Sequence, residues 1–302
     1  MSQIQANGQT LEYEDMGPRE APAIVLVMGL GMQLIAWPDK FCAALVERGF
    51  RVIRFDNRDI GLSSKAGHSN LLRLRLKMGA AMLRLPVRLP YTLEDMARDT
   101  LGLIDALGLQ RAHVVGASMG GMIAQLLAIE HPERVASLTS MMSSTGRRGL
   151  PGPDPKVRRG LLKRRPKTRP EAIEYGVNLL RLIGSPGYPT HEAQLRQTVT
   201  RTIARSYHPV GFTRQLLAII AAPDRIERLK TIRAPTLVLH GAGDPLISPA
   251  AAEDTAACIP GARLMIIPGW GHDLPEALLP TFATAIADHC QAAESVARGG
   301  NA

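Results

Sequence analysis

Val114-Val115-Gly116-Ala117-Ser118-Met119-Gly120-Gly121 decides the fold of this chain. An apolar run at residues 112–115 leads into it, and a helix-like run at 122–130 leads out. Gly-x-Ser-x-Gly set between a strand and a helix is the context in which that pattern forms a nucleophile elbow. A serine held on so sharp a turn brings the residues two positions away into close approach, so Gly116 and Gly120 have a steric reason to lack side chains. The turn lifts the hydroxyl clear of the sheet, and the N-terminus of the next helix favours negative charge developing beside it. The competing reading is an ordinary tight turn without chemistry.

Outward from this turn, strand and helix signals alternate. Asn7-Gly8 between Ile4-Gln5-Ala6 and Leu11-Glu12-Tyr13 predicts an opening hairpin. Residues 23–28 predict a buried strand that ends in Gly29-Leu30-Gly31, residues 39–48 a helix, and 51–55 another strand. A helix over 92–107 has Thr92 as its cap and Glu94-Asp95 in its first turn, where the dipole favours acids. After a strand at 135–141 the alternation stops, then resumes with strands at 235–240 and 262–267. A helix at 250–258 separates these two, another runs from 275 to about 293, and a frayed tail is expected over 298–302. The expected class is α/β: a mostly parallel, doubly wound, eight-stranded sheet covered on both faces, with an inserted helical cap. Residues 1–142 and 231–302 form the expected core, 143–230 the cap, and 64–90 a lid-like excursion.

Charge follows the same division. The formal +9 is uneven: residues 143–230 hold eighteen Lys or Arg against six Asp or Glu, so the remainder is net acidic. Aromatic residues make up only 4% of the chain, which argues against a nucleic-acid surface. The bland reading is a solvated helical insertion; the functional one is attraction of anionic substrates or membrane surfaces. Within the excursion, Arg73, Lys77, Arg84 and Arg88 fall in one sector of roughly 60° on a helical wheel, with Arg75 outside it. It is read as a lid helix, broken near Gly79 or Pro86 and covering the pocket; peripheral membrane contact is the less favoured reading. Cys42, Cys258 and Cys290 show neither metal-site spacing nor a disulfide framework, so no metal is expected. With no secretory signal and no long apolar run, the expected location is cytoplasmic.

A serine hydroxyl needs a base to take its proton, and the base needs an acid to hold its tautomer. His131 ends the helix after the elbow, His191 and His208 lie in the cap, His240 closes a strand, and His289 belongs to the last helix. Only His272, in Pro268-Gly269-Trp270-Gly271-His272, stands in a glycine loop directly after the last strand, and it is the expected base. Asp244, in Gly243-Asp244-Pro245 after the penultimate strand, is the expected acid; its bland role is turn formation, and Asp273 is the runner-up. The backbone N–H of Met119 and that of Leu30 are the expected oxyanion donors. Gly29, Leu30, Met32, Trp37, Met119 and Met142 are the candidate pocket walls, each with plain core as its alternative.

With these residues in hand, the chain resembles an α/β-hydrolase outside the insertion. Leu26-Val27-Met28-Gly29, Gly31, Trp37-Pro38-Asp39, Phe41, the stretch from Val52 through Asp56-Asn57-Arg58-Asp59 to Gly61 and Ser63, and Gly271-His272 are similar to the aclacinomycin methylesterase-like branch. The resemblance implies ester hydrolysis without a cofactor, and a structural acid–guanidinium arrangement around Asp56 and Arg58. Met28 departs from many relatives, in which a histidine precedes the oxyanion glycine. The expected activity is hydrolysis of small to medium apolar esters through Ser118, His272 and Asp244. Alternatives are a C–C bond hydrolase, a thioesterase or a perhydrolase with the same residues, or a ligand-binding receptor on a hydrolase scaffold.

Overall fold

The period-two burial of the strands shows how the sheet is sandwiched. In the computed structural model, which describes residues 1–163 and 166–299, Val25, Val27, Ile53, Phe55, Val114 and Leu138 pack into one apolar layer. Their neighbours Ile24, Leu26, Val52, Val115, Leu237 and Leu239 pack into the other. A strand whose alternate residues are all buried on both sides belongs to a sheet covered on both faces.

In chain order the elements begin with β1 (Ser2–Ala6), β2 (Gln9–Met16), β3 (Ala23–Val27), α1 (Asp39–Val46), β4 (Arg51–Phe55) and α2 (Leu71–Met82). Then come α3 (Leu93–Ala106), β5 (Ala112–Ala117), α4 (Met119–Glu130) and β6 (Val135–Met141). Five helices follow without a strand: α5 (Pro155–Leu162), α6 (Arg169–Ile183), α7 (Glu192–Arg205), α8 (Pro209–Ala221) and α9 (Ile226–Leu229). The chain closes with β7 (Thr236–Gly241), α10 (Ala250–Cys258), β8 (Arg263–Ile267) and α11 (Leu279–Gly299). The eight strands form one sheet in the order β1-β2-β4-β3-β5-β6-β7-β8, with β2 antiparallel to both neighbours and the rest parallel.

Local chemistry accounts for the element ends. Asn7 and Gly8 both have positive φ, as the tight hairpin turn requires. Thr92 and Asp95 form a reciprocal capping box at α3. α4 is buried almost all round, whereas α3 buries a single stripe, because α4 lies under the middle of the sheet. The three cysteines are buried in α1, α10 and α11, and burial pushes the Cys42 and Cys290 thiols up to about 11 and about 12.

Two details of the sequence reading change. The last helix continues to Gly299, beyond the expected end near 293, where its buried apolar stripe of Ile286, Cys290 and Ala293 stops. The expected tail at 298–302 is thus helical at its start, and residues 300–302 lie outside the described residues. α2 runs through Gly79 unbroken and stops before Pro86, packing Leu74, Met78 and Ala81 against Leu217 of α8.

Candidate active site

β5 ends at Ala117 and α4 begins at Met119, so Ser118 alone makes the connection. Its backbone has φ 57° and ψ −120°, which a residue with a side chain adopts only under constraint. The constraint is close packing. A Cβ on Gly116 would lie 2.1 Å from the Gly120 carbonyl oxygen, and one on Gly120 would lie 2.0 Å from that of Val27. The Ser118 N–H donates to the Met141 carbonyl (2.9 Å), and Ser143 Oγ donates to the Ser118 carbonyl (2.8 Å), so the end of β6 holds the turn.

His272, in the loop after β8, brings Nε2 to 3.0 Å from Ser118 Oγ, and its Nδ1 lies 2.7 Å from Asp244 Oδ2. Asp244 divides its oxygens: Oδ1 accepts the N–H groups of Leu246 and Ile247, both at 2.8 Å, while Oδ2 faces His272. The turn-forming role and the histidine contact therefore coexist on one carboxylate. Burial opposes ionisation of Asp244. The neighbouring His272 charge, hydrogen bonds from His240 and His272, and the Ile247 amide outweigh it and hold the carboxyl well below the usual range. Asp273 instead accepts a hydrogen bond from Ser185 Oγ, and burial pushes its carboxyl up.

The loop after β3 runs directly against the serine. A Cβ on Gly29 would lie 3.1 Å from Ser118 Cβ and 3.6 Å from its Oγ. Among the described residues neither the Leu30 N–H nor that of Met119, the first residue of α4, has a hydrogen-bond partner. The loop is tied down around these amides. Gly31 N–H donates to Gln215 Oε1 (2.9 Å), Asn57 Nδ2 donates to the Met28 carbonyl (2.9 Å), and Leu34 N–H donates to Asp56 Oδ1 (2.7 Å). Leu30 and Met32 are half-buried, whereas Met119 lies in one core layer and Trp37 and Met142 in the other, Trp37 stacked on Phe41.

Asp56 and Arg58 do form acid–guanidinium contacts, but with different partners. Asp56 pairs with Arg205 at the end of α7 (2.6 Å), and Arg58 pairs with Asp99 of α3. Much of the insertion's basicity is used in this way: Arg214 reaches Asp59 (2.9 Å), Arg228 reaches Glu130 (2.7 Å), and Arg147 reaches Asp254 (2.5 Å). The exposed remainder includes Lys156, Arg159, Lys163 and Lys167, which rim a surface hollow of about 1000 Å³ between α5 and α6. A smaller one of about 460 Å³ lies beside Met1 and residues 13–17. Neither is lined by Ser118.

Three buried polar residues support the site; Gln215 and Ser185 escaped the sequence reading, and His240 was weighed there only as a base. Gln215 of α8 holds Gly31. Ser185 holds both Asp273 and the Gly271 N–H. His240 places Nε2 at 2.8 Å from the Ile247 carbonyl and 3.3 Å from Asp244 Oδ2. The available signals were Arg214-Gln215 inside an otherwise apolar helix and a Ser-Pro-Gly cluster breaking the helical insertion. Among the described residues, no group of three His, Cys, Asp or Glu side chains is arranged to hold a metal ion.

Residues 22–276 match the α/β hydrolase fold family, and the chain belongs to it, in its methylesterase-like branch. It is a hydrolase of esterase type. The sequence is 31% identical to rhodomycin D methylesterase DnrP of Streptomyces peucetius, over 94% of this chain and 96% of that protein. Among solved structures it resembles the enol-lactonase of Burkholderia xenovorans LB400 (25% identity, TM-score 0.73, covering 96% of this chain and 100% of that one). The meta-cleavage product hydrolase CumD of Pseudomonas fluorescens IP01 shares the fold at 20% identity (TM-score 0.75, covering 97% and 98%).

Proposed function

We propose that the chain is a serine carboxylic-ester hydrolase acting on small to medium apolar esters, with Ser118 as nucleophile, His272 as base and Asp244 as the orienting acid. The observation that carries the reading is the continuous relay Ser118 Oγ–His272 Nε2 (3.0 Å) and His272 Nδ1–Asp244 Oδ2 (2.7 Å). Asp244 accepts a hydrogen bond from Nδ1–H, which fixes the tautomer that leaves Nε2 unprotonated toward the hydroxyl. Ser118 Oγ attacks the ester carbonyl carbon as its proton passes to Nε2. The carbonyl oxygen, now anionic, takes hydrogen bonds from the Leu30 and Met119 amides. Collapse of the tetrahedral species breaks the bond to the alkoxy oxygen, and His272 returns the proton to the departing alcohol. Water, activated by the same nitrogen, then releases the acid and restores Ser118.

The likeness to a methylesterase supports an ester as the bond attacked, and a methyl ester as the first alcohol to try. Residues 143–230 are proposed as the cap that selects the acyl group, with 1–142 and 231–302 as the core. Turnover of p-nitrophenyl butyrate and methanol release from a panel of apolar methyl esters test the reading. Ser118→Ala is expected to lower kcat by about 10³-fold or more at unchanged thermal stability. Undiminished turnover by the folded variant would sink it.

A further inference from the structure

The outward face of α2 is apolar where a surface helix is ordinarily polar. Its inner stripe, Leu74, Met78 and Ala81, packs on α8. At about 100° per residue the opposite crown falls at Leu72 and Leu76. These two are 66% and 67% exposed. Arg75 lies on one flank of this crown, and Arg73 and Lys77 on the other. Met82 at the end of the helix, and Leu83 and Leu85 beyond it, are also exposed, beside Arg84 and Arg88.

Of twelve large apolar side chains exposed among the described residues, six lie between Leu71 and Leu85, so this is one patch rather than scatter. Between Asp59 and Glu94 the chain has no acidic residue and six Lys or Arg. We infer that the outer face of α2 and the segment to Arg88 dock on an anionic phospholipid surface. The leucines enter the headgroup–acyl boundary and the flanking cations meet lipid phosphates.

Charge complementarity selects this occupant. A second copy joined face to face would set Arg73, Arg75 and Lys77 against the same residues with no carboxylate of this segment to pair them. Asn70 fixes the start of the helix by accepting the Leu72 and Arg73 N–H groups, so the crown is presented on a formed helix. No helix among the described residues is long and apolar enough to cross a membrane, so the contact is peripheral. The docking does not depend on Ser118 chemistry.

Co-sedimentation of the full chain with vesicles tests it. Phosphatidylcholine vesicles with and without phosphatidylglycerol are compared at low and high salt, alongside light scattering of the free protein. Binding is expected to phosphatidylglycerol-containing vesicles, weakened about tenfold or more by high salt or by omitting the anionic lipid. Leu72→Ser with Leu76→Ser, and separately Arg73→Glu with Arg75→Glu, should each reduce binding about tenfold, with p-nitrophenyl butyrate turnover in solution unchanged. Ser118→Ala should bind as the wild type does. Absence of binding to phosphatidylglycerol vesicles, or binding indifferent to both double variants, overturns the inference. So does a dimer that Leu72→Ser with Leu76→Ser converts to monomer, which would give this face to a second copy.

Discussion

The sheet and the helical insertion contribute to the same site in different ways. Ser118, Asp244 and His272 stand just past the ends of β5, β7 and β8, where parallel pairing aligns three loops at one edge. The insertion contributes none of the three. It supplies Gln215, Ser185 and Arg205, each reaching a core loop: the one after β3, the one carrying His272, and the one after β4. The sheet thus sets which groups meet, and the insertion sets how firmly their loops are held.

The comparison is sharpest at the acids. If the core alone supplies the relay, Asp244→Asn is expected to lower kcat by about 10²- to 10⁴-fold, since the amide holds His272 in the wrong tautomer. Asp273→Asn, altering the contact to Ser185, should lower it less than about tenfold. Steady-state kinetics on p-nitrophenyl butyrate decides between them, and equal losses would break the division. Next in size is the clamp on the loop after β3. Gln215→Leu removes the acceptor of the Gly31 N–H, and kcat should fall about 10- to 100-fold as the Leu30 amide loses its position. A kcat equal to wild type would make the insertion a bystander to the oxyanion loop.

A smaller effect concerns the core away from the site. His113 in β5 is lowered from 6.5 to about 4 by burial, then by His289 and Arg111. The Glu294 carboxylate 3.5 Å from Nε2 favours the protonated ring, but burial outweighs it. The unfolded chain binds this proton more readily, so stability is fully present above pH 6.5 and is lost as pH falls toward 4. The loss amounts to about 3 kcal/mol. His113→Asn should flatten the urea-midpoint profile across that window. An unchanged profile would place the acid sensitivity elsewhere.

Much of this was legible because the core repeats local rules. The elbow's glycines, the Thr92 cap, the Asn7-Gly8 turn and the alternating strands each state their geometry within a few residues. Asp244 and His272 followed from chain order and from their places after strands. The clamps were not legible, because Gln215 meets Gly31 across 184 residues and Ser185 meets Asp273 across 88. Nothing in either neighbourhood alone names its partner. The wheel over 71–88 grouped the cations but did not show that α8 would cover Leu74 and Met78 and leave Leu72 and Leu76 outward.

The central claim is that Ser118 becomes covalently acylated with help from His272. Incubation with a fluorophosphonate and mass spectrometry of the digested protein tests it most directly. The expected result is one adduct, on the peptide containing Ser118, formed much more slowly in His272→Ala and absent in Ser118→Ala. An adduct on another residue, or hydrolysis persisting in a protein labelled fully at Ser118, would contradict it.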